Sequence, residues 1–496
     1  MAPQGNYEAL IRELLTGIKA GWDYKRMQVW LSSKALQEQE LAHWLRENGS
    51  ALCRETKIRN QLTSLAILGL CELAQAASEI LQQHKPIPTG SRKLFERGNY
   101  LLGLGKEEEA IIHYQRAIEL HPNFEQAWSN KGAAMSKLRR YEEAIFCFER
   151  AIELQPEFYL AWSNRSATLS DMGLYEEAIA SCNRAIEIRP DCHLAWNNRG
   201  IALGGMEKYL EAISCCNRAI EIQSDYHEAW FTKGIILVEL GRYQEAISSY
   251  DLAIDIAPND YRCWYNRGVV IYKVRRFEET IASYDRAIEL KPDLYQAWYN
   301  RGIALGDLGR YTNAISSYDR SIEIKPDNYQ IWDNRGKALG LLHGYRVQID
   351  AYNQSFEYIH PDTHPEGWIF LQQLIGRTHY YEGNARQREE RWDSQSYYDD
   401  ALNCYHNALK ILAYENFPEL HFKISIDISR VYFAKNNTPV AYQFQSEAVD
   451  ILKNIFTDRA TANHKKGSLL QYDPFHQLDE DLEICLHLPD LTDNCE

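Results

Sequence analysis

Seven tryptophans recur at a constant spacing of 34 residues, and this period constrains the fold more than any other feature of the chain. They are Trp128, Trp162, Trp196, Trp230, Trp264, Trp298 and Trp332. A small residue follows four positions after each tryptophan, at Gly132, Ser166, Gly200, Gly234, Gly268, Gly302 and Gly336. A fixed period of roughly 20–50 residues is typical of a solenoid, in which one supersecondary unit is copied and stacked.

Each copy has the pattern of two antiparallel helices. In Tyr175–Ile188 the apolar and small residues are spaced three and four apart, which places them on one helical face. Gly241, two positions before Tyr243, marks the turn between the helices. Proline, which cannot continue a helix interior, closes most copies at Pro122, Pro156, Pro190, Pro258, Pro292 and Pro326. The period predicts eight copies within residues 92–359, the first with Leu94 in place of tryptophan.

This combination of Trp, Gly, Tyr, Ala and Pro at a 34-residue period resembles the tetratricopeptide repeat family. The resemblance covers more than half of the chain. It implies an all-α fold, a right-handed superhelical solenoid of antiparallel helix pairs. In that family the first helices of the pairs line a concave groove, which commonly binds a peptide or a protein partner.

The segments outside the regular copies are also predicted to be largely helical. Residues 1–83 contain an apolar stripe from Leu10 to Ile18 and further helical patterns, and they form either a cap on the first repeat or an adaptor module for another protein. Residues 84–91 have the Pro and Gly content of a linker.

Beyond the eighth copy the register decays, beginning with Val347 and Gln348 where a small residue is expected. Residues 360–463 are predicted to hold degenerate helix pairs, with a polar insertion near 383–396 that lengthens a turn. Residues 464–496 form a polar, acidic tail, which is either a solvated end or a docking segment for a basic partner.

Composition and charge exclude several classes of function. The net charge of −15 argues against a nucleic-acid partner, which would require a basic surface. There is no apolar run of about 18 residues and no secretory pattern at the start, so we expect no membrane insertion and a cytoplasmic protein. Cys182 and Cys216 stand where other copies have an aromatic residue, and we interpret them as buried small hydrophobic residues in a reducing compartment.

Two sets of residues are candidates for a peptide-binding groove. One is a row of asparagines two positions before the small residue, at Asn130, Asn164, Asn198, Asn266, Asn300 and Asn334. A similar row binds a peptide backbone in the repeat arm of O-linked N-acetylglucosamine transferase. A carboxamide can donate and accept hydrogen bonds at once, so such a row can bind the backbone of a peptide whatever its side chains are. The alternative is that the asparagines join neighbouring helices, and the sequence leaves both interpretations open.

The second set is apolar and aromatic, and it occupies the positions that face the groove in the family. In the middle copies these residues are Phe231, Ile235, Tyr265, Val269, Tyr272, Tyr299 and Ile303. We call them the aromatic floor. Apolar groove positions on a regular scaffold indicate a binding surface for an extended or helical segment.

No constellation for catalysis, metal binding or cofactor binding is predicted. The chain has no CxxC, HExxH, GxSxG or Walker-type motif, and His360 with His364 is too small a set for a metal site. The carboxylate clamp of chaperone-binding relatives is not reproduced, because its asparagine occurs only at Asn99, where the partner position is Phe95. The sequence therefore favours a non-enzymatic scaffold that binds a protein or peptide. The alternative is a regulatory or substrate-recruiting subunit of a separately encoded protease, kinase or transferase.

Overall fold

The computed structural model describes residues 7–19, 26–27, 30–31, 41–46, 62, 65, 76–77, 88–411 and 417–463. Regular structure in these residues is helical, and they contain no strand. The chain divides into two compact units, Met1–Ile256 and Ala257–Glu496. Within each unit the helices follow one another as antiparallel pairs. The predicted all-α solenoid of helix pairs is confirmed.

The first unit contains repeats 1 to 5. Their helix pairs are Thr89–Gly103 with Glu107–Leu120, Glu125–Lys137 with Tyr141–Leu154, Tyr159–Asp171 with Tyr175–Ile188, His193–Gly205 with Tyr209–Ile222, and His227–Glu239 with Tyr243–Ile256. Repeat 1 begins earlier than predicted, because residues 89–91 of the expected linker are helical. Ser91 is buried there, and its hydroxyl donates to the carbonyl of Ala117 at 2.7 Å.

The second unit contains repeats 6 to 8 and two further pairs, which we call pairs 9 and 10. The repeats are Tyr261–Lys273 with Phe277–Leu290, Tyr295–Asp307 with Tyr311–Ile324, and Tyr329–His343 with Tyr345–Gln354. A short 3₁₀ helix, Ser355–Glu357, follows repeat 8. Pair 9 is Pro365–Arg388 with Ser394–Ile411, and pair 10 is Pro418–Ala434 with Thr438–Asn463.

Pair 9 differs from the prediction in one respect. The segment 383–396 was expected to lengthen the turn, but it mostly lengthens the two helices, and only residues 389–393 lie between them. The polar side chains of this segment mask its helical character in the sequence. Arg386 holds the end of the first helix, because it pairs with Glu382 at 2.7 Å and with Asp393 in the turn.

The interior of a repeat is built on one close contact between its two helices. A Cβ atom added at Gly302 would lie 2.4 Å from the ring of Tyr318, and one at Gly336 would lie 2.2 Å from the ring of Tyr352. The first helix can therefore approach the aromatic ring of the second only where it carries no side chain. Repeats 1, 2, 5 and 6 make the same contact through Gly98, Gly132, Gly234 and Gly268.

Repeats 3 and 4 depart from this contact, because both have a cysteine at the position of the aromatic ring. Ser166 is the one residue that replaces glycine in the series, and its partner position holds Cys182 instead of an aromatic ring. Cys182 and Cys216 are fully buried and free, as predicted, and burial raises the pKa of each thiol to about 12. The hydroxyl of Ser166 donates to the carbonyl of Ser163 at 2.7 Å.

The tryptophans fix the loops between repeats. In six repeats the indole N–H donates to the carbonyl of the proline six positions earlier, for example from Trp298 to Pro292 at 3.0 Å and from Trp332 to Pro326 at 2.8 Å. In repeat 5, where Ser224 replaces the proline, Trp230 still donates to that carbonyl at 3.4 Å. Each bond joins the first helix of a repeat to the loop that precedes it.

The turn within each repeat requires a left-handed backbone. Gly241 has a φ of +70°, as expected for the glycine that marks this turn. Repeats 2, 4 and 6 adopt the same conformation without glycine, at Arg139, Glu207 and Arg275. The turn geometry is therefore maintained even where the residue is unfavourable.

The described part of the N-terminal segment is a helical cluster. Tyr7–Lys19 is a helix, and its predicted stripe is buried at Ile11, Leu14, Leu15 and Ile18. Further buried residues of the same core lie at Met27, Trp30, Leu31, Leu41, Ala42, Leu45, Leu62, Leu65, Ala76 and Ala77. The remainder of the N-terminal segment and the acidic tail 464–496 lie outside the described residues. No helix in the described ranges combines the length and apolar character needed to cross a bilayer.

Candidate peptide-binding groove

In the first unit the aromatic floor consists of two residues of repeat 5. Phe231 is half-buried, and its ring centroid lies 5.9 Å from that of Tyr250 on the second helix of the repeat. Ile235, one turn further along, is 40% exposed. One repeat earlier the same positions hold Asn197, which is buried, and Ile201, which is 41% exposed. Repeats 4 and 5 thus present a small exposed apolar surface.

In the second unit the floor extends over repeats 6 and 7. Its members Tyr265, Val269, Tyr272, Tyr299 and Ile303 are all half-buried. Tyr265 packs 5.9 Å from Tyr284 and Tyr299 packs 6.2 Å from Tyr318, measured between ring centroids. The structure brings these five predicted residues onto the first helices of two successive repeats.

Tyr272 is held at the edge of this surface. Its hydroxyl donates to Oδ2 of Asp307 at 2.6 Å, and its ring lies 5.6 Å from that of Phe277. Burial and the bond to Asp307 raise the pKa of Tyr272 to about 12. The hydroxyl is therefore neutral at physiological pH and acts as a hydrogen-bond donor.

The asparagines of the second unit are bonded to the floor or to their own helix. Nδ2 of Asn300 donates to the hydroxyl of Tyr265 at 3.2 Å, and Nδ2 of Asn334 donates to the hydroxyl of Tyr299 at 2.9 Å. Asn266 donates to the carbonyl of Arg262 at 2.9 Å. Two of the three asparagines thus join the first helices of neighbouring repeats and fix the tyrosine side chains.

Two of the three asparagines of the first unit make comparable bonds. Nδ2 of Asn130 donates to Oδ1 of Asn99 at 2.8 Å, and Nδ2 of Asn198 donates to the carbonyl of Ser163 at 2.9 Å. Asn164 is half-buried, and its backbone carbonyl accepts a bond from Thr168 at 3.2 Å. These contacts favour the helix-joining interpretation of the row over direct binding of a peptide backbone.

The basic residues beside the asparagines are also engaged in packing. Arg301 pairs with Asp285 at 2.6 Å, and Arg335 pairs with Asp319 at 2.6 Å. In both cases the acid lies on the second helix of the preceding repeat. These cations therefore bind successive helices to one another, and they are not available as a uniform anion-binding row.

The second unit also contains a cavity of about 400 Å³ that the sequence did not reveal as a site. It lies among the two helices of repeat 8 and the first helix of pair 9. Its lining residues are Lys337, Tyr345, Gln348, Tyr352, Leu374, Arg377, Thr378, Tyr381 and Glu382. The available signal was the decay of the eighth copy, since Gln348 stands at a position that is small in earlier repeats.

A buried carboxylate lies beside this cavity. Asp333 is only 7% exposed, and its Oδ2 pairs with Nζ of Lys337 at 2.8 Å. Burial raises the pKa of Asp333, and the nearby Lys337 only partly opposes this shift. Lys337 itself remains largely exposed at the cavity, so its ammonium group is shared between Asp333 and solvent.

A second buried carboxylate fixes the far wall. Asp427 of pair 10 is 3% exposed, and it accepts hydrogen bonds from Gln373 and from Nε of Arg377, both at 2.7 Å. Arg430 adds a longer contact at 3.3 Å. One carboxylate is therefore shared by two guanidinium groups, of which that of Arg377 lines the cavity.

Family comparisons identify the repeats. Models of the tetratricopeptide repeat match residues 91–124, 125–158, 147–180, 191–259 and 295–328. A model described as TPR repeat matches residues 276–309. Residues 175–206 also match the protein prenyltransferase alpha subunit repeat. A comparison with curated proteins finds no match.

Several solved structures resemble parts of the chain. YrrB, described as a TPR protein with an unusual peptide-binding site, is 23% identical, with a TM-score of 0.32, and the match covers 37% of this chain and 95% of that one. A tetratricopeptide repeat protein from Parabacteroides merdae is 15% identical, with a TM-score of 0.39 and coverage of 50% and 99%. A thermophilic TPR protein from Thermus thermophilus is 20% identical, with a TM-score of 0.34 and coverage of 36% and 98%.

The repeat matches agree with the helix pairs and with the recurring contact between glycine and an aromatic ring. The chain therefore belongs to the tetratricopeptide repeat family.

Proposed function

We propose that this protein is a non-catalytic interaction scaffold that binds a segment of a partner protein on the part of the aromatic floor that repeats 6 and 7 form. One observation carries the proposal. Tyr265, Val269, Tyr272, Tyr299 and Ile303 present half-exposed apolar surface on the first helices of two successive repeats. Apolar side chains that remain accessible on a regular scaffold provide a surface for another chain.

The floor is ordered before a partner arrives. Tyr265 and Tyr299 each pack against a buried tyrosine and accept a hydrogen bond from the next repeat, and Tyr272 donates to Asp307. Side chains held in this way lose little conformational freedom on binding, which improves affinity. Tyrosine is also among the residues that most often dominate binding energy at protein interfaces.

The bound segment is expected to be extended or helical. The floor has apolar groups separated by one helical turn within a repeat, and the same pattern recurs in the next repeat. A partner segment with apolar residues at regular intervals can match this spacing, while its polar side faces solvent. The proposal therefore predicts a linear peptide ligand.

Affinity capture with mass spectrometry tests the proposal. The wild-type protein is compared with a floor variant, Tyr265→Ala with Tyr299→Ala, and with a control variant, Tyr100→Ala with Tyr442→Ala. Tyr100 and Tyr442 are 57% and 50% exposed and lie outside the floor, so the control removes the same chemistry elsewhere. Circular dichroism confirms that all three proteins remain helical.

We expect the floor variant to lose a partner that the wild-type and control proteins retain. If the folded floor variant captures the same partner as the wild-type protein, the floor is not the binding surface. The identity of the captured protein also decides between a general scaffold and a subunit that serves a separately encoded enzyme.

A further inference from the structure

Repeat 8 departs from repeat 7 at the positions that face the groove. Where repeat 7 has Tyr299 and Ile303, repeat 8 has Asp333 and Lys337. The exchange replaces a half-buried apolar pair with a buried carboxylate and an exposed ammonium group. The apolar surface of repeats 6 and 7 therefore ends at a charged site in repeat 8.

The second helix of repeat 8 changes as well. Gln348 occupies the position of Ala314, and its side chain reaches the first helix, where a Cβ atom added at Gly340 would lie 2.5 Å from its Oε1. Nε2 of Gln348 donates to the hydroxyl of Tyr352 at 3.0 Å. A small apolar contact is thus replaced by a polar side chain, which lines the cavity.

Pair 9 contributes a fixed cation to the opposite wall. Nε of Arg377 is bonded to Asp427, and its terminal guanidinium nitrogens make no hydrogen bond with the described residues. Because Asp427 is buried and also bonded to Gln373, the orientation of the guanidinium group is set by the protein interior. A guanidinium held through Nε can still offer its other N–H groups to an anion.

The lining contains two cations that can donate further hydrogen bonds. Lys337 and Arg377 each pair with a buried carboxylate, Asp333 and Asp427, through only part of their N–H groups, and Glu382 is paired with Arg386 at 2.7 Å. The remaining N–H groups of the two cations can donate to one further carboxylate. Tyr381, which is 63% exposed, and Leu374 provide apolar surface beside the cations.

We propose that this cavity binds an aspartate or glutamate side chain of the segment that lies on the aromatic floor. This inference rests on the proposed function, and it adds that the partner segment carries an acidic residue beyond its apolar ones. A cavity of about 400 Å³ exceeds the roughly 30 Å³ that one water molecule occupies, and it accommodates an acidic side chain with its neighbouring backbone.

Selection from a displayed library of short random peptides tests the inference on the full chain. The selection is performed in parallel on the wild-type protein, on Lys337→Glu and on Lys410→Glu. Reversing the charge of Lys337 also removes the cation that pairs with the buried Asp333, so circular dichroism and thermal unfolding confirm that this variant is folded before it is used. Lys410, which is exposed on the second helix of pair 9 and is not a lining residue, provides the same change of net charge as a control.

We expect the wild-type protein and Lys410→Glu to select peptides with apolar residues and an acidic residue at a constant distance from them. Lys337→Glu should lose the acidic preference, and a peptide selected on the wild-type protein should bind it about tenfold more weakly, which corresponds to roughly 1.4 kcal/mol.

Three results would overturn the inference, and only the last of them also contradicts the proposed function. Apolar peptides without an acidic preference, or an acidic preference that Lys337→Glu retains, would refute the cavity assignment and leave the floor intact. A selection that enriches no peptide on the wild-type protein would contradict both the cavity and the floor.

Discussion

Repeats 7 and 8 have the same interior contacts but different side chains at the groove positions. Both pack a glycine of the first helix against an aromatic ring of the second, and both bond a tryptophan to the preceding proline. Their groove positions hold Tyr299 and Ile303 in repeat 7 but Asp333 and Lys337 in repeat 8. The contacts that define the repeat thus leave these positions free to vary, and the proposed function places recognition at them.

The largest effect is expected at Asp427, the buried carboxylate that orients Arg377 in the wall of the cavity beside repeat 8. Asp427→Ala should reduce the free energy of unfolding by about 3–5 kcal/mol, because it leaves two guanidinium groups without their buried partner. As a control, Asp285→Ala removes an ion pair whose acid is 46% exposed, and it should cost less than about 1 kcal/mol. Urea unfolding followed by circular dichroism measures both, and equal effects would contradict the assigned role of Asp427.

The shared interior can be tested by adding a methyl group. Gly302→Ala in repeat 7 and Gly336→Ala in repeat 8 should each destabilise the protein by about 1–2 kcal/mol, since overpacking exceeds the gain in helix propensity. Gly306→Ala is the matched control, because its nearest neighbour is the hydroxyl of Tyr318 at 3.8 Å. It should be neutral or stabilising by up to about 1 kcal/mol. Thermal unfolding distinguishes these outcomes, and destabilisation of the control alone would be inconsistent with the packing described.

The stability of the protein should depend on pH through Asp333 of repeat 8, whereas repeat 7 has Tyr299 at the same position. Burial raises the pKa of Asp333, so the folded protein binds a proton more readily there than the unfolded chain does. The ionised carboxylate therefore costs stability above its folded pKa, and this cost disappears below the ordinary aspartate pKa of about 3.9. Asp333→Asn should stabilise the protein more at neutral pH than near pH 4. A stability difference that does not change with pH would show that burial does not perturb this group.

The smallest expected effect concerns the hydrogen bond between the two repeats. Tyr299→Phe keeps the ring against Tyr318 but removes the hydroxyl that accepts from Asn334. Asn334 retains its bond to the carbonyl of Gln330 at 3.1 Å. Stability should therefore fall by about 1 kcal/mol or less. A loss comparable to that of the Gly302→Ala variant would mean that the bond between Asn334 and Tyr299 contributes more to stability than a single hydrogen bond is expected to.

The sequence predicted the fold because each repeat uses the same local contacts. The spacing of Trp298, Gly302 and Tyr318 recurs in the other copies, and this recurrence identifies the pair of helices to which they belong. In contrast, the bond from each tryptophan to the proline carbonyl was not predicted. Every residue has a backbone carbonyl, so the sequence does not show which one accepts the bond.

The cavity could not be predicted for a different reason. Arg377 and Tyr381 lie outside the regular period, and their position beside Lys337 depends on how pair 9 packs against repeat 8. Without the period, the sequence gives no register for such a contact. The polar segment near residue 386 was misleading for a related reason, since its arginine is satisfied within the extended helix and its turn.

Titration of a single peptide, selected on the wild-type protein, tests the central claim most directly. Its affinity is measured by calorimetry for the wild-type protein, for Tyr265→Ala with Tyr299→Ala, and for the control Tyr100→Ala with Tyr442→Ala. Binding on the floor predicts that the floor variant loses at least about tenfold in affinity, or roughly 1.4 kcal/mol, while the control is unchanged. Equal affinity for all three folded proteins would contradict the claim that the aromatic floor is the binding surface.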